Sequence, residues 1–204
     1  MAPRPSNWNL PNALTLFRIV MVPFFVWAFI ADGGHYGPLR WLAVGLFVVA
    51  IYTDKLDGDI ARARGLITSF GKIADPIADK LLIGSALIML SAVGELWWWV
   101  TIVMLVREIG ITLLRFVVIR YGVMAASKGG KLKTVLQTVA IFFYLLPVTP
   151  ANDLLSILAL VVMLVALAVT VVTGVDYVLK AGQLVRSGRG NSGTTGSGRN
   201  APQG

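Results

Sequence analysis

The chain has 204 residues, 56% of them hydrophobic and 14% charged, with a mean hydropathy of +0.77 and a formal charge of +8. A soluble core of this size would lack the polar surface needed to cover it, so the composition predicts an all-α integral membrane protein and excludes an ordinary soluble domain. With no cysteine, disulfide frameworks and thiolate metal sites are excluded as well.

In chain order, apolar stretches cover roughly residues 12–31, 39–53, 81–93, 96–119, 134–149 and 154–179, and a helical span needs about 20 residues. Six transmembrane helices result, the second and third completed by part of the polar segment 53–80. Arg18 interrupts the first apolar run and no small-residue cleavage site follows, so this run reads as a membrane helix with an interfacial lead-in at Trp8. The connections ADGGHYGP, VGEL and PVTPAND contain no Lys or Arg. Arg4, Arg18, Arg62, Arg64, Lys72, Arg120, Lys128, Lys131, Lys133, Lys180, Arg186 and Arg189 fall at the alternate ends. The positive-inside rule therefore places both termini and the Asp-rich segment in the cytoplasm, in a cell membrane, and makes a nucleic-acid partner the poorer explanation of the charge. Arg40 is the one charge near the opposite face. Residues 1–182 read as one membrane domain, and the Gly/Ser-rich residues 183–204 as a disordered cytoplasmic tail.

The segment TDKLDGDIARARGLITSFGKIADPIADK carries the chemistry. Asp54 and Asp57 are three apart and Asp75 and Asp79 four apart, so each pair occupies one helix face, with offsets of roughly 60° and 40°. Four unpaired carboxylates at one membrane surface would repel, and divalent cations relieve that. Oxygen-only ligands favour Mg²⁺ or Mn²⁺ over zinc. This predicts a metal site at the cytoplasmic ends of helices 2 and 3. Capping and dipole effects explain a lone Asp at a helix end, but Asp54 and Asp57 precede a C-terminus, where negative charge is unfavourable. Gly58 permits close approach, and Arg62, one turn on, can hold phosphate bidentately. Asp75-Pro76 reads as a helix start, with a proline kink as the alternative.

The pattern Asp54-x2-Asp57-Gly58-x2-Ala61-Arg62-x8-Gly71-x3-Asp75-x3-Asp79 resembles the complete motif of the CDP-alcohol phosphatidyltransferase family, and the likeness runs over roughly residues 9 to 180. The resemblance implies a six-helix, usually dimeric membrane enzyme that moves a phosphatidyl group from a CDP-linked lipid to an alcohol and releases CMP. It implies that Asp54, Asp57 and Asp75 hold two metal ions, with Asp79 serving the second metal and acting as general base. It further implies that Gly58, Arg62 and Thr68 line the CDP site, and that Asn12, Thr15 and Arg18 belong to an amino-terminal segment that helps cover the nucleotide.

The acceptor is read from the remaining cations. Arg107 and Glu108 lie inside the fourth span, Arg115 two turns further along the same face, and Lys131 and Lys133 in or near the following basic loop. A buried structural Arg107–Glu108 pair is one reading. A cationic pocket for a phosphorylated acceptor, formed by Arg107, Arg115, Lys131 and Lys133, is the other, and choline or ethanolamine would not call for it. The stretches NLPNALTLFRIVMVP, RE followed by LLR, and GGKLKTVLQ are similar to the family's bacterial phosphatidylglycerophosphate synthase branch, which implies CDP-diacylglycerol and glycerol 3-phosphate as substrates. Inositol phosphate and phosphatidylglycerol, the latter giving cardiolipin, stay open as acceptors. A cation transporter would place carboxylates nearer the membrane midplane and not beside Arg62. A non-catalytic scaffold would need none of them.

Overall fold

The computed structural model describes residues 9–65, 68–118 and 128–191, apart from the side chains of residues 69, 72, 128, 129, 131 and 185–191. The described residues form six helices and no strand: α1 (Leu10–Asp32), α2 (Pro38–Ala63), α3 (Ser69–Ala92), α4 (Trp98–Val118), α5 (Lys128–Leu145) and α6 (Asp153–Asn191). Two of them, α1 and the Asp153–Leu184 part of α6, are long and apolar enough to cross a membrane by length and composition.

Local chemistry sets the ends of these helices. Asn9 caps α1 by accepting from the Asn12 N–H at 3.0 Å, and Gly33, at φ 58°, closes it in the left-handed conformation that favours glycine. Asp32 then accepts from the N–H groups of Tyr36 and Gly37, 3.1 and 2.9 Å away, so the connection into Pro38 at the head of α2 is a tight turn. Thr68 caps α3 by accepting from Gly71 N–H at 3.0 Å. The helix therefore begins at Ser69 and Pro76 lies inside it, not at its start. The i, i+4 spacing of Asp75 and Asp79 is unaffected.

Helix α1 packs on α2 and α3, while α6 packs on α5 and α4. Between them lies a core of Phe25, Phe29, Phe47, Leu82, Leu87, Leu90, Met104, Ile141, Leu145 and Met163. Fully buried alanines, among them Ala28, Ala43, Ala86, Ala140 and Ala166, let the backbones approach closely. The outside is apolar on every helix, with Trp27, Trp41, Tyr52, Ile73, Trp98, Val106, Val135 and Leu154 all more than half exposed. Several buried polar groups gather at the two ends: Asn12, Thr15, Arg18, Asp57 and Thr68 at one, Asp32, Arg40 and Thr149 at the other, while Gln137 and Thr170 lie buried within α5 and α6.

Helix α6 continues nine residues past position 182, to Asn191. The expected boundary of the tail therefore falls within a helix, and residues 192–204 lie outside the described residues, as do Arg4, Trp8 and Arg120.

Candidate active site

The C-terminal half of α2 and the first turns of α3 bring the carboxylates to one end of the bundle, and α1 crosses directly beneath them. Thr15 of α1 donates to Asp75 at 2.6 Å and lies 3.3 Å from Asp57, so one hydroxyl contacts carboxylates 18 positions apart in sequence. Arg18, one turn further along α1, is completely buried. Its Nη1 donates to Asp54 at 2.5 Å and its Nη2 to Asp57. Asp54 lies within electrostatic range of Asp75 and Asp79 as well. The two halves of the motif therefore face each other, with a guanidinium as their internal counter-ion. Arg18, expected in the segment that helps cover the nucleotide, here sets its fork on Asp54 and Asp57.

Asn12 and Thr68 are also tied to each other, through Asn12 Nδ2 to Thr68 Oγ1 at 2.9 Å, and both are buried. Thr68 thus caps α3 and anchors it to α1. The glycine at 71 has a steric reason: a Cβ there would stand 2.9 Å from Asn12 Oδ1 and 3.3 Å from Thr68 Oγ1. Gly58 similarly leaves room for the Arg62 guanidinium, whose Nη2 would lie 3.2 Å from a Cβ. Arg62 itself is exposed and donates to Asp59 at 2.8 Å. That pair is solvent-accessible and weak, so a phosphate can displace it.

A cavity of about 970 Å³ opens over this cluster. Asp54, Asp57, Gly58, Arg62 and Asp75 line one side; Arg107, Glu108, Arg115 and Lys133 line the other. Lys55 reaches its wall too. Asp79 lines a second, smaller cavity of about 290 Å³ between α3, α4 and α5, whose other walls include Ile77, Leu81, Ile83, Leu105 and Ile109. Lys80, Glu108, Lys133 and Thr134 belong to both cavities and so form the partition.

Glu108 is the residue that sequence reasoning undervalued. It pairs with Arg107 Nη1 at 3.2 Å and with the buried Lys133 ammonium from α5, joining two of the expected acceptor cations into one network. Arg107 spends its other donors on α6, Nε on the Thr170 carbonyl at 3.2 Å and Nη2 on Thr173 Oγ1 at 3.0 Å. Arg115 Nε reaches Tyr177 Oη at 3.2 Å. The Lys131 side chain lies outside the described residues.

Among the described residues, no three carboxylate or imidazole groups converge on one point as they stand. The donor set nonetheless fits hard divalent cations: it is all carboxylate oxygen, it comes from two facing helices, and it already holds one cationic group between Asp54 and Asp57.

Comparisons with known proteins agree with the motif. A family model described as CDP-alcohol phosphatidyltransferase matches residues 8–172. The chain is 53% identical over 181 residues to the "Probable phosphatidylglycerophosphate synthase" of Mycobacterium tuberculosis, covering 89% of this chain and 85% of the relative. It is 39% identical over 183 residues to the CDP-diacylglycerol--glycerol-3-phosphate 3-phosphatidyltransferase of Bacillus subtilis, with 85% and 95% covered. The protein of the same name in Rickettsia felis is 37% identical over 171 residues, with 83% and 93% covered. With the eight-residue motif intact on two facing helices and the likeness extending from the head of α1 into α6, the chain belongs to the CDP-alcohol phosphatidyltransferase family.

Proposed function

We propose that the protein transfers the phosphatidyl group of CDP-diacylglycerol to glycerol 3-phosphate, giving phosphatidylglycerol phosphate and CMP. The observation that carries this reading is the cavity with an acidic wall on one side and Arg107, Arg115 and Lys133 on the other. The first wall suits a metal-bridged pyrophosphate and the second an acceptor that is itself a phosphate ester. The names of the three relatives favour glycerol 3-phosphate over inositol phosphate or phosphatidylglycerol.

Asp54, Asp57, Asp75 and Asp79 would hold two Mg²⁺ or Mn²⁺ ions, which when bound neutralise charge on the pyrophosphate and on the departing CMP. The remaining work falls to the chain. Gly58 and Arg62 receive the cytidine-side phosphate, and the α4–α5 cations orient the acceptor's phosphate. Asp79 accepts the proton of the acceptor's 1-hydroxyl as that oxygen attacks the phosphorus bearing diacylglycerol. The bond from that phosphorus to the CMP oxygen breaks, and CMP leaves with the electron pair. The apolar cavity beside Asp79 suits the start of the lipid chains.

The same reading makes the chain a multi-pass membrane protein with six spans. All six helices are 18 residues or longer and carry exposed apolar side chains, and a continuous greasy exterior of this extent is stable against lipid, not water. Exposed Trp97, Trp98 and Trp99 at the head of α4 suit one interface, at the end opposite the carboxylates. Both termini and the carboxylate end face the cytoplasm, and the active form is a homodimer. Cysteines introduced by Lys72→Cys and Lys131→Cys should label from one and the same side; labelling from opposite sides would overturn the orientation.

The direct test is CMP release from CDP-diacylglycerol by the purified protein with Mg²⁺ or Mn²⁺. Glycerol 3-phosphate, inositol phosphate, free inositol, serine and phosphatidylglycerol are offered separately, with Asp79→Asn as control. Turnover confined to glycerol 3-phosphate and lost in the variant is expected. Turnover with another acceptor would move the substrate. Metal flux in proteoliposomes without CMP release would replace the enzyme reading with a transporter.

A further inference from the structure

Helix α6 carries Thr170, Thr173, Gly174 and Tyr177 at positions i, i+3, i+4 and i+7, which is one face of a helix. That face meets the α4 stripe bearing Arg107 and Arg115, again two turns apart, and each arginine has its own partner on α6. The seat of Arg107 is closely shaped. Thr173 spends its single hydroxyl proton on its own helix, 2.6 Å from the Val169 carbonyl, so its lone pairs are turned outward to accept from Arg107 Nη2 at 3.0 Å. At Gly174 a Cβ would lie 3.2 Å from Arg107 Cγ and 3.5 Å from Nε, so the absent side chain is the space the arginine stem occupies.

With Nε and Nη2 fixed on α6, Nη1 is left to point at Glu108, which in turn holds the buried Lys133 ammonium of α5. The chain of contacts runs from α6 through α4 to α5 and ends at the partition between the two cavities, where Lys133 lies within electrostatic range of Asp79.

We propose that Thr173 and Gly174 are positioning residues for the acceptor subsite: they seat the Arg107 guanidinium and, through Glu108, set where the Lys133 ammonium stands to receive the phosphate of a phosphorylated alcohol. Each Arg107 nitrogen already makes one hydrogen bond, so its orientation is fixed by α6 and Glu108, and the N–H left on each Nη is aimed by that same seat. Nothing in this network touches Asp54, Asp57, Gly58 or Arg62; its one approach to the nucleotide-lipid side is the wall that Glu108 and Lys133 share with Asp79, so its larger effect falls on the acceptor. The inference rests on the proposed transfer reaction, and its test separates the two.

Full-length protein carrying Thr173→Val, Thr173→Ser or Gly174→Ala is compared with the unaltered chain, varying glycerol 3-phosphate at saturating CDP-diacylglycerol and the reverse. Binding of glycerol 3-phosphate is followed by calorimetry, which needs no turnover. Thr173→Val keeps the shape and removes the acceptor atom; Gly174→Ala moves the arginine stem by a few tenths of an ångström. Both should raise the KM and the Kd for glycerol 3-phosphate about tenfold while the KM for CDP-diacylglycerol stays within about twofold, because misplacement at a charged site is costly even over short distances. Thr173→Ser should restore the unaltered values. A fall in kcat with both KM values unchanged, or an equal rise in both, would overturn the proposal and leave these residues a purely structural part. Unaltered protein that binds glycerol 3-phosphate without releasing CMP, with Kd still sensitive to Thr173, would overturn the reaction and keep the cradle. Binding and turnover both absent would overturn the two together.

Discussion

Removal of Arg40 is expected to be among the most damaging single changes away from the carboxylates. Its side chain is completely buried, donates from Nε to the Leu145 carbonyl at 2.9 Å and from Nη2 to the Tyr144 carbonyl at 3.1 Å, and pairs with Glu95, itself only 13% exposed. Its guanidinium carbon also lies 4.0 Å from the centroid of the Phe29 ring. This single group therefore ties the start of α2 to the ends of α1 and α5 and to the α3–α4 connection. Breaking a buried ion pair from one side costs ~3–5 kcal/mol. The two carbonyls at the end of α5 add ~1–2 kcal/mol, and a methionine of similar length recovers part of the packing. Arg40→Met should lose ~5 kcal/mol, most of it from the stranded Glu95 carboxylate.

Membrane proteins commonly unfold irreversibly, so the assay is the half-life of thermal inactivation in detergent or lipid. If half of that loss falls on the unfolding barrier, the half-life shortens roughly 70-fold. The double variant Arg40→Met/Glu95→Leu should be longer-lived than Arg40→Met alone, since it removes the stranded charge. The defect should also depend on pH. Burial pushes the Glu95 carboxyl up from its ordinary value and Arg40 pulls it back, with Asp32 and Tyr36 the other ionisable groups beside it and Tyr144 within electrostatic range. Without Arg40 its folded-state pKa rises further. Below the unfolded value of about 4.3 Glu95 is neutral in both states and the penalty vanishes; it grows as pH climbs from there to the raised folded value and is constant above it. The single variant should therefore be closest to the unaltered protein in acid. A half-life within twofold of the unaltered chain at neutral pH, or a double variant no better than the single one, would refute this account.

Two further outcomes follow from the carboxylate end. Mg²⁺ or Mn²⁺ at a hundred times its dissociation constant should stabilise the unaltered protein by ~2.7 kcal/mol and raise its thermal midpoint, an effect that Asp57→Asn should lose; the same rise in both proteins would count against a site there. Gly71→Ala should cost ~1–3 kcal/mol and lower kcat/KM at least about tenfold, because its Cβ would press on Asn12 and Thr68. Gly45→Ala, where nothing lies within 4 Å of the added atom, should stay within ~1 kcal/mol of the unaltered chain.

The acidic motif was legible because its information is local: the i+3 and i+4 spacings put each pair on a face, and carboxylates near a greasy run demand a partner. Hydropathy likewise located the six helices. What it could not supply was the register of α1 against that face. Thr15 and Arg18 reach Asp75 and Asp54 across 60 and 36 positions, and no pattern in α1 distinguishes an arginine that covers a ligand from one that balances two aspartates. Asp75-Pro76 misled as a helix start because it satisfies the capping preference so well; Thr68 prevails because it caps Gly71 and bonds Asn12 at the same time. Helix α6 runs past the expected tail boundary at 182 for a different reason. Loss of hydrophobicity after residue 179 does not end the helix, since Ala181 is still buried and the Asp176–Lys180 pair at 2.7 Å supports one more turn. Arg40, a single charge in a count, became a clamp only once three other elements were folded around it.

Arg18 and Arg40 are both wholly buried, at opposite ends of the same pair of helices, and they face opposite demands. Arg40 meets one carboxylate and two carbonyls, and the Asp32 carboxylate nearby is committed to the N–H groups of Tyr36 and Gly37, all of it closed off within the bundle. Arg18 meets two aspartates with Asp75 and Asp79 close by, so one guanidinium serves a cluster of four carboxylates, of which Asp79 also has Lys80 and Lys133 within range. Asp54 and Asp75 remain half-exposed beside a wide cavity, where water reaches them. A helix bundle can thus fold around its own guanidinium and still present unneutralised carboxylate to divalent cations arriving from water. The two arginines thus differ in access to water, which makes one end a fastener and the other the candidate site.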